Sequence, residues 1–467
     1  MTQTKPTPAT TQPVGKWKPY LTYKDSGIEW LGEIPAHWEV KRLKFNCNIN
    51  PRPGLQNFPD DLEASFLPME CIGEDGSLLL DRTRTVEQVR QGYTNFQDND
   101  VIVAKITPCF ENGKGALCEG LLNGIGFGTT ELHVLRANRE SQPKYIYYLT
   151  KSHSFTEIGA AMMYGSAGQK RVPEEFVKNF PVATPPLTEQ CAIAAFLDRE
   201  TSKINTLISK KEHLIELLQE KRAALISQAV TKGLDANVAM KDSGIEWLGE
   251  IPAHWEMKRL KFCLRSIEQG WSPSCENRPA EAEEWGVLKV GCVNGVKFNP
   301  DENKALPAEL VPLYDFEIKP GDVLISRANT RELLGSTSIV PEVRPHLLLC
   351  DKLYRLRLLP EALDATYFVL AMGSSTVRFQ LERDATGASN SMQNISQATI
   401  LNLVFPLPDV AEQQAITAYI GRETAKIDAL ISRIGEAIEK LKEYSIALIS
   451  AAVTGKIDVR ENGSAEV

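Results

Sequence analysis

The sequence predicts an α+β protein built as an internal repeat, in which two divergent modules sit between near-identical flanking segments and two long helices pair with each other. Three observations carry this reading. The stretch KDSGIEWLGEIPAHWEVKRLKF at 24–45 returns at 241–262 with a single difference, Val40 against Met257. A helical segment opening TEQCAIAAF at Thr188 returns as AEQQAITAY at Ala411. Between them, the blocks at roughly 46–184 and 263–406 share little identity but carry the same succession of strand and turn signals.

The 467-residue chain is long enough for two or three domains with substantial cores. Residues 1–16 are Thr/Pro-rich without an apolar stretch, so an N-terminal arm, 1–22, is expected to be disordered and is not a signal peptide. No apolar run approaches the roughly 20 residues that a membrane span needs, which makes a soluble, cytoplasmic protein the expectation. The nine cysteines are scattered, with no C-x-x-C pair and no histidines at ligand spacing, so reduced core thiols are expected and no metal. The formal charge of -8 argues against a uniformly basic nucleic-acid binder but leaves room for a basic face.

A first module is expected over 23–185 and a first long helix over 186–235. In that helix Ile204, Leu218 and Leu225 form one row with Leu207 and Leu214 beside them, interrupted by Lys211 and Lys221. A second module is expected over 240–407, a second helix over 408–458 and a tail over 459–467. Here Ile427, Ile434, Leu441 and Leu448 recur every seventh residue, with Leu430, Ala437, Tyr444 and Ala451 three further on, so an a/d seam buries against another helix. A helix of this length spans ~60 Å and suits a spacer. In both blocks an acidic turn precedes an apolar strand, NDVIVAKITP and GDVLISRANT. Each block ends in a polar loop, YGSAGQKRVPEEF or TGASNSMQNISQATI, and a Pro-rich exit.

In order and duplication these features resemble the specificity (S) subunit of type I restriction-modification systems. The likeness runs from about Lys18 and rests on SGIEWLGEIPAHW with KRLKF in both halves, GDVLISRANT, NISQATILNLVFPLP and EQQAI. It implies two target recognition domains, each reading one half of an asymmetric bipartite site in double-stranded DNA. It implies two antiparallel helices as a coiled-coil spacer with pseudo-two-fold symmetry. It further implies docking of two methyltransferase (M) subunits and, through them, restriction (R) subunits, with S-adenosylmethionine, ATP and Mg on those partners and no cofactor here. The first block departs from the pattern, reading GQKRV where Asn394-Ile395 stands in the second. Two half-sites on one face of DNA lie about 34 Å apart, so helix length would set the unread gap.

Phosphates favour Lys and Arg, and base edges favour Arg, Lys, Asn and Gln, so polar loops rich in these types are the DNA-binding candidates. They are Lys105, Thr107, Asn112, Lys114, Gln169, Lys170 and Arg171 in the first block. In the second they are Arg327, Asn329, Thr330, Arg331, Ser389, Asn390, Gln393 and Asn394. Lys41, Arg42 and Lys44, repeated as Lys258, Arg259 and Lys261, suit either phosphate or salt-bridged frame positions. Trp30, Trp38, Trp247 and Trp255 are either partner-interface anchors or clamps between module and helix.

Catalytic motifs are lacking. ATPPLTE has neither the polar residue nor the aromatic of a base-holding N/D-P-P-F/Y element. NGIGFGTT, at 123–130, reads as a turn between strands, and PCFENGKG and SAAVTGKI lack the first Gly and final hydroxyl of a phosphate loop. PDENK compresses its carboxylates into five residues, too close to converge on one ion. The expectation is a non-catalytic scaffold that reads DNA, with a protein scaffold lacking DNA recognition as the alternative.

Overall fold

The computed structural model describes residues 17–51, 58–166, 168–295, 297–389 and 392–460. The chain forms two units, Met1–Lys211 with Gly435–Val467, and Glu212–Ile434. Each unit has the same plan. In the first, strands Cys47–Ile49, Leu132–Ala137, Asp100–Ala104 and Gly115–Leu117 form an antiparallel sheet in that order. The second builds its counterpart from Leu264–Gln269, Leu353–Leu358, Val323–Ser326 and Thr337–Ile339. A further sheet in each unit contains one parallel pair, Glu63–Leu67 with Ile125–Gly128, and Gly286–Leu288 with Leu347–Leu348. The stretch NGIGFGTT is thus a turn followed by a strand. A Cβ on Gly126 would come within 2.2 Å of Phe96, which is why no larger residue fits there.

The acidic turns before the central strands have a physical reason. The Asp100 carboxylate is buried, accepts from the Gln97 backbone N–H at 2.8 Å and takes two N–H bonds of 2.7 Å from Arg136 on the neighbouring strand. Asp322 repeats the role, accepting from Lys319 N–H at 3.0 Å and pairing with Arg355 and Arg357. A buried carboxylate without such partners would be strongly destabilising, so turn, strand and arginine are chosen together.

The repeated segment wraps a joint. Leu31, Ile34, Trp38 and Leu43 are buried in the first copy, and Leu248, Ile251, Trp255 and Leu260 in the second. Against them lies the start of the helix that follows in sequence. Glu189 accepts from Tyr20 and from His37 Nε2 at 2.8 Å, while Glu412 accepts from His254 Nε2 at 2.8 Å and Trp255 Nε1 at 3.0 Å. The next residue ties the helix to its module. Gln190 Oε1 accepts from Gln142 N–H at 2.9 Å and its Nε2 donates to Pro185 O, just as Gln413 bonds Asp364 N–H at 2.8 Å and Pro408 O.

The far side of each joint is the end of the other long helix. In the first unit the Tyr145 hydroxyl reaches Val453 O at 3.2 Å, and in the second Tyr367 reaches Val230 O at 3.1 Å. Gly455 and Gly233 follow these helix ends with φ of +71° and +77°, a left-handed geometry that suits glycine. A Cβ on Gly455 would come 3.1 Å from Trp38, and one on Gly233 would come 3.3 Å from Trp255.

The long helices run Leu187–Lys232 and Val410–Val453. In the first unit Ile204 and Ile208 share a core with Leu441 and Leu448, and in the second Leu225, Ala229 and Val230 share one with Ile416 and Ile420. The start of each helix therefore packs with the end of the other, which is antiparallel pairing. The seam differs from the expected one. Ile427, Leu448 and Ala451 are buried as expected, but the row four residues on from Ile427, Ile434 and Leu448 turns inward as well, with Ile438 and Ala452 buried and Ile431 half-buried. Leu430 and Tyr444 are 47% and 39% exposed, and in the first helix Leu207 and Leu214 are exposed while Ile208 and Ile215 face inward. Leu430–Ile431 and Ala437–Ile438 are adjacent apolar pairs, so either row satisfies a heptad and only the partner decides. Arg222, half-buried, forms an ion pair with Asp428 at 3.2 Å.

Two boundary expectations need correction. Residues 17–22 belong to the fold, since Trp17 packs edge-on against Phe196 at 4.7 Å and Tyr20 is buried. Aromatic burial there outweighs the Pro/Thr-rich composition that precedes it, and residues 1–16 lie outside the described residues. Val459, expected in the tail, is buried as well.

Removing the side chain of Trp255 in Trp255→Ala is expected to cost about 3–5 kcal/mol, read as a lower urea midpoint, against under about 1 kcal/mol for half-exposed Trp30→Ala. An equal effect of the two would contradict the joint.

Candidate nucleic-acid interface

The central strand of each sheet runs out into the loops that carry the candidate residues. Backbone bonds align the two units residue by residue. Lys105 N–H donates to Glu131 O at 2.9 Å and Val172 N–H to Lys105 O at 2.8 Å. In the second unit Arg327 N–H donates to Lys352 O at 3.0 Å and Ile395 N–H to Arg327 O at 2.9 Å. An antiparallel bridge joins Ile106 to Arg171, and its counterpart joins Ala328 to Asn394. Lys105 and Arg327 therefore occupy one position, and Arg171-Val172 stands where the second module has Asn394-Ile395.

Beside each strand end lies a hairpin, Tyr164–Ser166 with Gln169–Arg171, and Thr386–Ser389 with Met392–Asn394. Gly165 and Gly387 adopt φ of +152° and +154° at matching places. A Cβ on Gly165 would meet the Gln169 carbonyl at 2.3 Å, so the hairpin needs glycine to close.

The structure thus brings Lys105, Thr107, Gln169, Lys170 and Arg171 together, and likewise Arg327, Asn329, Gln393 and Asn394. Thr107 N–H donates to Lys170 O at 3.0 Å, and Gln169 and Lys170 are exposed. Arg171 is committed differently, donating from Nε and Nη2 to Glu131 at 2.9 and 2.8 Å, which lowers the Glu131 pKa. Asn112 and Lys114 turn away toward the 69–74 segment, bonding Glu74 at 2.9 Å and Met69 O at 3.3 Å. Lys151 closes that loop through Glu74 O and Gly113 O, and burial pushes its ammonium down to about 8.

In the second unit the Arg327 guanidinium lies 5.7 Å over the Tyr354 ring and donates from Nη1 to Asp351 O at 3.3 Å. Its Nε and the Asn329 Nδ2 are buried without a hydrogen-bond partner among the described residues. Asn329 Oδ1 caps the turn by accepting from Thr330 N–H at 2.9 Å. Arg331, 63% exposed at its side chain, is held by Glu382 at 2.8 Å. Ser389 belongs to the hairpin, but its side chain and Asn390 lie outside the described residues. Sequence reasoning missed Gln269, Ser272 and Asp351, which meet beside Arg327; nothing in their local spacing joins them.

The collars also separate into buried and exposed parts. Trp38 and Trp255 are fully buried, so they are clamps and not partner anchors; the glycine at each helix end leaves room for them. Trp30 is 36% exposed and stacks on Phe180 at 5.2 Å, and Trp247 is half-buried beside Phe379 at 5.6 Å. Lys41 and Lys258 pair with Glu39 and Glu256 at 2.9 and 3.0 Å. Phe45 and Phe262 stand 61% and 65% exposed, each with the preceding lysine over its ring. Among the described residues no group of three or more His, Cys, Asp or Glu could hold a metal, and no helix is long and apolar enough to cross a membrane.

Fold and site together define a protein of two α+β modules that share a frame and present unlike side chains at one equivalent site. Residues 35–217 match the family described as type I restriction modification DNA specificity domain. The chain is 29% identical to the Type I restriction enzyme EcoEI specificity subunit of Escherichia coli, over 94% of this chain and 86% of that one. It is 45% identical to the EcoAI specificity subunit of Escherichia coli over 34% of this chain and 27% of the relative. Among solved structures it shares its fold with the HsdS subunit from Thermoanaerobacter tengcongensis, at 20% identity and a TM-score of 0.50, covering 91% of this chain and 98% of that one. A chain from a structure of complex assembly and conformational transition in a type I R-M system matches at 20% identity with a TM-score of 0.63, covering 91% and 99%. Residues 35–217 thus match a type I restriction modification DNA specificity domain, and over nearly its whole length the chain is similar to specificity subunits of type I restriction enzymes.

Proposed function

We propose that this chain is the DNA sequence-recognition subunit of a type I restriction-modification complex, binding an asymmetric bipartite site through its two modules in the cytoplasm. One observation carries the reading: the same strand-end site is built twice, with Lys105, Thr107 and Arg171 in one module and Arg327, Asn329 and Asn394 in the other. A fold kept constant while its donors change is what two readers of different sequences require. Arg327 suits a guanine edge and Asn394 an adenine edge, whereas exposed Lys170 suits phosphate.

The chain itself is non-catalytic in this reading and directs adenine methylation and restriction by its partners. S-adenosylmethionine, ATP and Mg bind those partners. Two methyltransferase subunits dock on the duplicated frame, where Trp30, Phe45, Trp247 and Phe262 offer exposed aromatic surface twice over, and restriction subunits join through them. The paired helices set the number of unread base pairs between the half-sites.

Mapping of methylated adenines in a host carrying this chain and its partners tests the reading. Replacing residues 46–184 by the block of another specificity subunit is expected to change one half of the methylated site and leave the other intact. A change in both halves, or methylation without sequence preference, would overturn it. Adding one heptad to each long helix, facing one another, should lengthen the gap by about three base pairs, since seven residues rise about 10 Å. Arg327→Ala should lose about 1–3 kcal/mol of discrimination at one base pair, whereas Lys170→Ala should weaken binding to all sequences and lower the salt slope by about 1. Equilibrium titration of specific and non-specific duplexes over a range of salt separates the two effects.

A further inference from the structure

We propose that Asp351 is a specificity-determining residue of the second module, accepting a hydrogen bond from the exocyclic amine of a base neighbouring the one that Arg327 contacts. The inference rests on the DNA-reading function above and adds the chemistry of one base position to it.

Three separate chain segments build the site. The end of strand Leu264–Gln269 supplies Gln269, whose Nε2 donates to Asp351 O at 3.1 Å. The loop after it supplies Ser272, whose hydroxyl donates to Asp351 Oδ1 and accepts from Asp351 N–H at 3.1 Å. The outrun of the central strand supplies Arg327, which donates to the same carbonyl at 3.3 Å. Trp271 N–H fastens the loop to Leu349 O at 3.0 Å.

Asp351 is therefore fixed through its N–H, its C=O and one carboxylate oxygen. An ionised carboxylate has about four acceptor positions. Oδ2 has no partner among the described residues, and the residue is half-buried next to exposed Ser272 and Lys352. A positioned acceptor thus stands beside a positioned guanidinium. In the major groove cytosine N4 and adenine N6 donate, while guanine O6 and thymine O4 accept, so the carboxylate favours the amine-bearing bases and repels the other two.

The first module lacks this group. Because Glu131 and Lys352 occupy one position, Thr130 stands where Asp351 does, with a neutral hydroxyl in place of a carboxylate. The effect of Asp351 is consequently confined to one half-site.

The test is Asp351→Asn in the full-length chain, assembled with its methyltransferase subunits and used to select from duplexes randomised across both half-sites. The amide keeps the size of the side chain and one acceptor for Ser272, but turns the second oxygen into a donor. The expected result is a swing of about tenfold in base preference at one position, from cytosine or adenine toward guanine or thymine, with the other half-site unchanged. Asp351→Ala should abolish preference at that position without inverting it. A selected motif identical to that of the unaltered chain, or a loss spread evenly over the half-site, would overturn the role of Asp351 and leave DNA reading intact. An unaltered complex that selects no motif would overturn the reading itself.

Discussion

Each long helix is held at its two ends by different modules, and the rest of the architecture depends on that arrangement. The start is gripped through Glu189 or Glu412, which accept from the side chains of Tyr20 and His37 or of His254 and Trp255, and through Gln190 or Gln413, which bond backbone groups of the module. The end is gripped by a tyrosine hydroxyl and by a tryptophan lying over a glycine too small to push it away. Neither unit is complete within one repeat, because the first contains Gly435–Val467 from the end of the chain. Burial of whole aromatic side chains supplies most of the free energy at such a joint, and the hydrogen bonds set its geometry.

Buried charge follows the same division. The Asp100–Arg136 pair and the cluster of Asp322, Arg355, Arg357 and Glu268 sit in the sheets whose central strands end at Lys105 and Arg327. Buried ion pairs add little net stability, but breaking one leaves an uncompensated charge, so they lock the register of neighbouring strands. A locked strand end holds the residue it carries in a fixed place, and preorganisation of this kind is what the proposed reading of base edges would use. The duplicated joint and the unlike strand ends are two consequences of one plan.

The collars illustrate how identity and burial separate. Trp38 and Trp255 are identical in context because both must fill the same space, whereas Phe45 and Phe262 are alike although solvent covers much of each ring. Only coordinates distinguish these two reasons for repetition. Tryptophans in a repeated segment looked equally suited to a partner or to a clamp, and packing against the helix-end glycines decided for two of the four.

By itself the sequence determined the repeat, the two long helices, the acidic entry to the central strands and the class of protein. Those signals are local or periodic, and the hydrophobic and turn preferences behind them act over a few residues. The tertiary structure alone decided which of two adjacent apolar rows faces the partner helix, since Leu430 and Ile431 satisfy the same spacing. It also decided which polar loop residues are tied to other segments, because Arg171, Arg331, Asn112 and Lys114 meet partners dozens of residues away, and it brought Gln269, Ser272, Arg327 and Asp351 together. Ion pairs and hydrogen bonds reach only a few ångströms in space and take no account of distance along the chain, so their partners become visible only after folding.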